Sequence, residues 1–272
     1  MSDYRCGMAR PVWNGTISFA LLSVPVKLFT ATRAKDISFN QLEKSTGARI
    51  KQKRVSSVTG EEVAAADIVK GYEVRKDEYV MIETEELEAL APRDAANDRV
   101  IQILDFVDAA QIDPVHYEKA YYVAPDKGGA RPYALLVQAM NAADKVAIAK
   151  VVLRQKEYLT ALRPKGDVLC LETMYFADEV VDPGEIDELS GSAPDVSDRE
   201  LDMAKMLVEA SSTDFEPSKY ADAHRERVMA LIESKAAGES YEVPALAEAP
   251  KVVDLMAALE ASLAAAKAKK SA

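Results

Sequence analysis

Cysteine is scarce in this chain: two in 272 residues, Cys6 and Cys170. They stand far apart without ligand-like neighbours, which argues against a disulfide framework or a zinc site and fits a reducing cytoplasm. Histidine is as rare, and neither His116 nor His224 sits at a spacing that suggests a metal site or a triad. The 11 glycines are scattered, so no Walker loop forms and no Gly-rich dinucleotide turn follows a strand. Acidic pairs such as Glu85-Glu86 lie in polar helical stretches and read as solvated faces. No apolar run reaches the ~18 residues of a membrane span. Met1 to Arg10 is polar and lacks the apolar stretch of a secretory signal, with Met8 an alternative start. These absences predict no catalytic residues, no metal and no cofactor, and point to a cytoplasmic binding protein rather than an enzyme.

What is present is a divided charge. The net charge is −11, yet Met1 to Gly60 holds ten Lys/Arg against three Asp/Glu, and Lys145 to Gly166 holds six against one. The remainder then carries −23. Net charge governs solubility, whereas local potential governs what a surface attracts. The plain alternative is that both clusters are ordinary solvated faces. At 49% hydrophobic residues the chain can bury one or two sizeable cores.

The first two-thirds read mainly as strands: Trp13 to Ala20, Leu21 to Phe29, Arg49 to Val55, Tyr79 to Ile82, Val100 to Val107 and Ala120 to Ala124. Pro25 marks an edge or a bulge, because proline donates no ladder hydrogen bond. Pro132 opens a helix with Tyr133, Leu136, Val137 and Met140 on one face. A meander follows, Val146 to Leu153, Tyr158 to Arg163 and Val168 to Phe176, with Pro164 to Asp167 as a turn. Many short strands with few helices suggest a barrel or a sandwich. From Ser190 the pattern becomes helical. Ser197 and Glu200 form a capping box, a second helix runs from about Pro217 to Lys235, and a last one starts near Val252 and ends in Lys267, Lys269 and Lys270. No internal repeat is evident.

Strand alternation puts Arg49, Lys51 and Lys53 on one face, roughly 6.6–6.8 Å apart. Phosphates of one DNA strand repeat at a similar step, so such a row can follow a backbone. Lys150, Arg154 and Lys156 make a looser second row if their strand continues, and Arg163 and Lys165 flank a turn. No exposed aromatics interleave these cations, which favours duplex phosphates over stacked single-strand bases. No recognition-helix signature predicts base specificity. Lysines on an edge strand also serve merely to block aggregation.

Taken as a set, these segments resemble prokaryotic Ku. Val12-Trp13-Asn14-Gly15-Thr16-Ile17-Ser18-Phe19 with Ser23-Val24-Pro25-Val26-Lys27-Leu28-Phe29 is similar to the family's opening. Arg49 to Val63, Asp113-Pro114-Val115-His116-Tyr117-Glu118-Lys119 with Tyr121 to Pro125, Leu153 to Gly166, and Glu216-Pro217-Ser218-Lys219-Tyr220 follow in the family's order. The resemblance spans about residues 9 to 265. Where some relatives carry a CxxC, this chain has Ser56 and Thr59, so no zinc is expected there.

The resemblance implies an α+β, mainly β fold: a Ku-like β-barrel core with a bridge or arm over residues 9–190, a helical, dimer-supporting arm over 191–240, and a C-terminal helix with a Lys-rich tail over 241–272. It implies a ring-shaped homodimer that threads double-stranded DNA ends and recruits a multi-domain ATP-dependent ligase for non-homologous end joining, with no catalysis of its own and no membrane. The cytoplasm, at the nucleoid, is the expected place. The residues expected to line the ring are Arg49, Lys51, Lys53, Arg54, Arg154, Lys156, Arg163 and Lys165, with Lys27, Arg33 and Lys35 as weaker candidates. Two other classes compete: a protein-only adaptor without DNA affinity, and an enzyme acting on DNA or nucleotides through a site without a familiar motif.

Overall fold

The computed structural model of the chain describes residues 10–90, 99–154, 156–189, 191, 194–239 and 255–270. Cys6, the choice between Met1 and Met8, and the linker expected from Tyr241 to Ala249 lie outside them. The chain divides into two compact units, one holding residues up to Lys35 and Phe39–Asp182, the other Asp36–Ser38 and the chain from Pro183 onward.

Seven strands of the first unit close a barrel: β1 (Trp13–Phe19), β2 (Leu22–Thr30), β5 (Val100–Val107), β6 (Tyr117–Pro125), β7 (Val146–Leu153), β8 (Lys156–Lys165) and β9 (Val168–Met174). Their order is β1-β2-β6-β9-β8-β7-β5, and the ring is sealed where β1 meets β5 in parallel over three residue pairs, Thr16↔Val100 to Ser18↔Gln102. All other ladders are antiparallel. The alternation of β-branched and aliphatic residues explains the closure. Ile17, Val24, Val26, Leu28, Ile101, Leu162, Leu169 and Leu171 all point inward and are fully buried.

The helix α2 (Ala130–Ala143) is built into this core by the face its sequence predicts, Tyr133, Leu136, Val137 and Met140. Tyr133 is fixed by its hydroxyl, which donates to Val123 O at 2.6 Å and accepts from Leu169 N at 2.8 Å. Gly129 precedes the helix because a Cβ there would lie 2.4 Å from Pro25 O. Pro25 pairs with Thr16 of β1 and stands just before the β2–β6 ladder, which begins at Val26, so its β6 side is a local edge of the kind proline tolerates. Its carbonyl accepts from Asp126 N at 2.9 Å where β6 departs.

Between β2 and β5 the chain forms an arm. It contains two small turns, a hairpin of β3 (Lys70–Arg75) and β4 (Glu78–Ile82), and the helix α1 (Thr84–Leu90). The strand expected over Arg49 to Val55 is absent. Only single bridges form at its two ends, Leu42↔Arg49 and Val55↔Glu62, because each end is drawn into its own turn.

The second unit contributes α3 (Asp198–Ser211), α4 (Ala223–Ala236) and α5 (Leu255–Lys270). The capping box at Ser197 is present: its Oγ accepts from Glu200 N at 3.4 Å and the Glu200 carboxylate accepts from Ser197 N at 2.9 Å. α3 packs on α5, with Arg199 3.9 Å from Glu260.

Candidate nucleic-acid interface

Because Val26, Leu28, Tyr121, Val123, Leu162, Leu169 and Leu171 face the barrel interior, the residues between them face outward. This puts Lys27, Phe29, Tyr122, Cys170, Glu172, Arg163 and Lys165 on one outer face built from β2, β6, β9 and β8. The register confirms the rows: Phe29↔Tyr122, Tyr122↔Cys170 and Arg163↔Cys170, with Lys27↔Ala124 and Lys165↔Val168 alongside.

The cations here are held rather than loose. Lys27 Nζ lies 2.7 Å from Asp126 Oδ1. This contact, with the N–H of Lys127, keeps the Asp126 carboxyl below the usual range. Lys165 Nζ lies 5.5 Å from the Tyr122 ring centroid and 3.4 Å from its hydroxyl. Arg163 donates three bonds to Glu172, from Nε at 3.0 Å to each oxygen and from Nη2 at 2.7 Å. That bonding holds the guanidinium protonated, and its pKa is raised. The side chain of Glu172 is only 12% exposed, although it sits on an outer face. Its cross-strand neighbours are Ala120 and Ala161, whose small side chains leave the slot it occupies. Cys170 is buried beside it, and burial, then the Glu172 charge, pushes the thiol up, away from the reactive thiolate. An open cleft of about 460 Å³ adjoins the pair, lined by Tyr117, Glu118, Lys119, Ala120, Arg163 and Glu172.

Arg154 and Lys156 do not extend this row. The strand ends at Leu153, which pairs with Lys156 across a tight turn, and Arg154 occupies that turn with φ +52. Lys156 has the opposite strand parity to Arg163. It lies 3.6 Å from Glu179 and 5.2 Å from the Tyr158 ring centroid. Lys150 is likewise bound, 2.7 Å from Glu157.

The arm carries the other candidates. Arg33, Lys35, Lys51 and Arg54 are exposed, Arg49 donates to Asn40 Oδ1, and Lys53 lies 2.6 Å from Glu62. Here the backbone shows a repeat that the sequence hides. In one turn Glu43 N donates to Ala48 O and Gly47 N to Glu43 O; thirteen residues on, Ser56 N donates to Glu61 O and Gly60 N to Ser56 O. Gly47 and Gly60 have φ +70 and +71, a region that side-chain-bearing residues enter with strain. Only the Thr-Gly pairs 46–47 and 59–60 reveal this relation in the sequence. Ser56 Oγ accepts from Val58 N and Thr59 N, and Thr59 Oγ1 from Glu61 N. These two hydroxyls are spent within the turn and are not the thiolate or imidazole donors that zinc takes.

Sequence reasoning missed the acids that hold the cations, Asp126, Glu172 and Glu179. Strand register brings Glu172 to Arg163, while Asp126 follows the end of β6 and Glu179 sits in a 3-10 turn after β9. Among the described residues no group of three or more His, Cys, Asp or Glu could hold a metal, and no helix is long and apolar enough to cross a membrane.

A closed seven-stranded barrel plugged by a helix and extended by a hairpin arm defines the class, a β-barrel protein of mixed α and β. The profile of the Ku70/Ku80 beta-barrel domain matches residues 18–203, and the chain belongs to the Ku family. Its relatives include "Non-homologous end joining protein Ku" of Anaeromyxobacter sp. (strain K), 46% identical over 96% of this chain and 87% of that one. The protein of the same name from Koribacter versatilis (strain Ellin345) is 44% identical over 97% and 89%. That of Desulfitobacterium hafniense (strain DSM 10664 / DCB-2) is 45% identical over 93% and 87%. Among solved structures, the SPOC domain of human PHD-finger protein 3 (PHF3) covers 61% of this chain and 95% of its own at 10% identity and a TM-score of 0.30.

Proposed function

We propose that this protein binds the ends of broken double-stranded DNA in non-homologous end joining, without base specificity and without catalysis of its own. The observation that carries the reading is the near full-length match to relatives bearing that name, 46% identical over 96% of the chain in one case. The outer face of Lys27, Arg163 and Lys165 and the arm cations Arg33, Lys35, Arg49, Lys51, Lys53 and Arg54 supply phosphate contacts, driven by counterion release. Arg154 and Lys156 join them from the β7–β8 turn.

The working form is a homodimeric ring through which a free end threads. The β3–β4 hairpin supports a second copy: it is exposed on both faces, with Tyr72 at 66%, Tyr79 at 58% and Met81 at 72%, and a lone two-stranded hairpin is marginal in water. Loaded on an end in the cytoplasm, at the nucleoid, the ring recruits a multi-domain ATP-dependent ligase. The test is a gel shift of linear duplex against the same DNA as a closed circle, across salt concentrations. Binding to the linear form that the circle fails to compete supports threading. Equal binding to both overturns the ring, and no binding to either leaves a protein-only adaptor.

A further inference from the structure

The half-buried pair on the barrel face has a geometry that charge alone does not explain. Arg163 gives Glu172 one side of its guanidinium, Nε and one hydrogen of Nη2. Nη1 and the second Nη2 hydrogen have no protein partner among the described residues. The same guanidinium borders the open cleft beside Tyr117 and Lys119. A guanidinium has five donors in a rigid fork, so a carboxylate on one side leaves the outer prongs available to an oxyanion. Burying two charges costs desolvation, which makes such a pair weak evidence of stability. Glu172, in its slot between Ala120 and Ala161, is well placed to fix the direction of the fork.

We propose that Glu172 is a positioning residue, holding Arg163 side-on so that its outer edge forms a fixed two-pronged contact to a DNA phosphate. This rests on the end-binding reading above and deepens it. It separates Arg163 from Lys165 on the same face: Lys165, whose ammonium meets the Tyr122 ring and hydroxyl, contributes by charge, and Arg163 by shape as well. The pair is neutral as a whole, so it adds little to counterion release and much to orientation.

The experiment measures duplex-end affinity across salt for the unaltered protein and three variants. Arg163→Lys keeps the charge and loses the fork, and its affinity falls about tenfold, the scale of a lost charge-assisted bidentate contact. Glu172→Ala raises the net charge of the face by one, yet weakens binding. Glu172→Gln, which keeps the shape and one accepting oxygen, recovers part of the loss. Thermal unfolding of each variant tests its fold, and the ordering of Gln above Ala at equal charge is a readout that added positive charge cannot produce. Tighter binding by both Glu172 variants would make Glu172 a competitor of phosphate and overturn the proposal. Full affinity in Arg163→Lys would overturn it too. Absence of binding by the unaltered protein would sink the end-binding reading, and this proposal with it.

Discussion

In the barrel, Ile17, Val24, Val26, Leu28, Ile101 and Leu162 are wholly shielded from water. From Phe39 to Leu90 not one residue is buried. The two regions hold their shape by different means. The barrel uses apolar packing around a closed ladder, and its outer cations are seated on acids or an aromatic ring. The arm uses backbone turns, side-chain caps on those turns and a two-stranded hairpin, and several of its cations are free. The contrast teaches that the arm's structure is local, so its tolerance to substitution and its response to DNA should differ from those of the barrel.

The largest expected difference is in packing. Leu171→Ala should cost about 2–5 kcal/mol in denaturant unfolding, because a fully buried leucine leaves a cavity. Val58→Ala, in the exposed second turn of the arm, should stay within about 0.5 kcal/mol. Equal losses would mean that this turn is packed as tightly as the barrel interior.

Glycine substitution sharpens the same comparison. At Gly15 a Cβ would meet Arg99 O at 2.1 Å and the Trp13 ring at 2.3 Å, so Gly15→Ala should cost about 3 kcal/mol. At Gly60 the space is open and only the positive φ resists, so Gly60→Ala should cost about 1–2 kcal/mol and spare the barrel's melting transition.

On DNA, the distinction is between free and paired cations. Lys51→Ala should flatten the logarithmic salt dependence of binding by about one unit. Lys53→Ala should flatten it by less, since Lys53 is held by Glu62. An unchanged slope for both would remove this part of the arm from the interface.

The smallest effect concerns acid. The carboxyls of Glu118, beside Lys119, and Asp126, beside Lys27, are held below their ordinary range. A carboxyl whose folded pKa is depressed adds stability above the unfolded value of about 4, and that stability is lost as pH falls through the folded value. Asp126→Asn should therefore be less stable than the unaltered protein near neutrality, with the gap closing in acid. A gap that persists at low pH would assign the loss to packing instead.

The same division decides what could be read from the sequence. The buried face of α2 and the Ser197 capping box were legible because helix period and cap chemistry are local signals. The family barrel was legible through motifs in order. The closure of β1 on β5 was not, since it pairs residues far apart along the chain. Arg49 to Val55 suggested a strand because its residues alternate, but no neighbouring strand is there to pair with it. Lys150, Arg154 and Lys156 suggested one row because nothing in their identities marks the turn at Arg154. The partner of Arg163 depends on strand register, and those of Lys27 and Lys156 on where β6 and β9 hand over to the following chain, which residue types alone do not disclose.

The three-pair seam between β1 and β5 also bears on how the molecule is made. Thr16 must find Val100, 84 positions along the chain, whereas most other ladders join closer neighbours. Closing so long a loop carries an entropic cost that grows with its logarithm, and non-local pairing is slow. On a ribosome, β1 and β2 emerge first and wait while the whole arm is synthesised. A newborn chain halted before Val100 would therefore hold an unsealed sheet, with Ile17 and its neighbours open to solvent and to other chains.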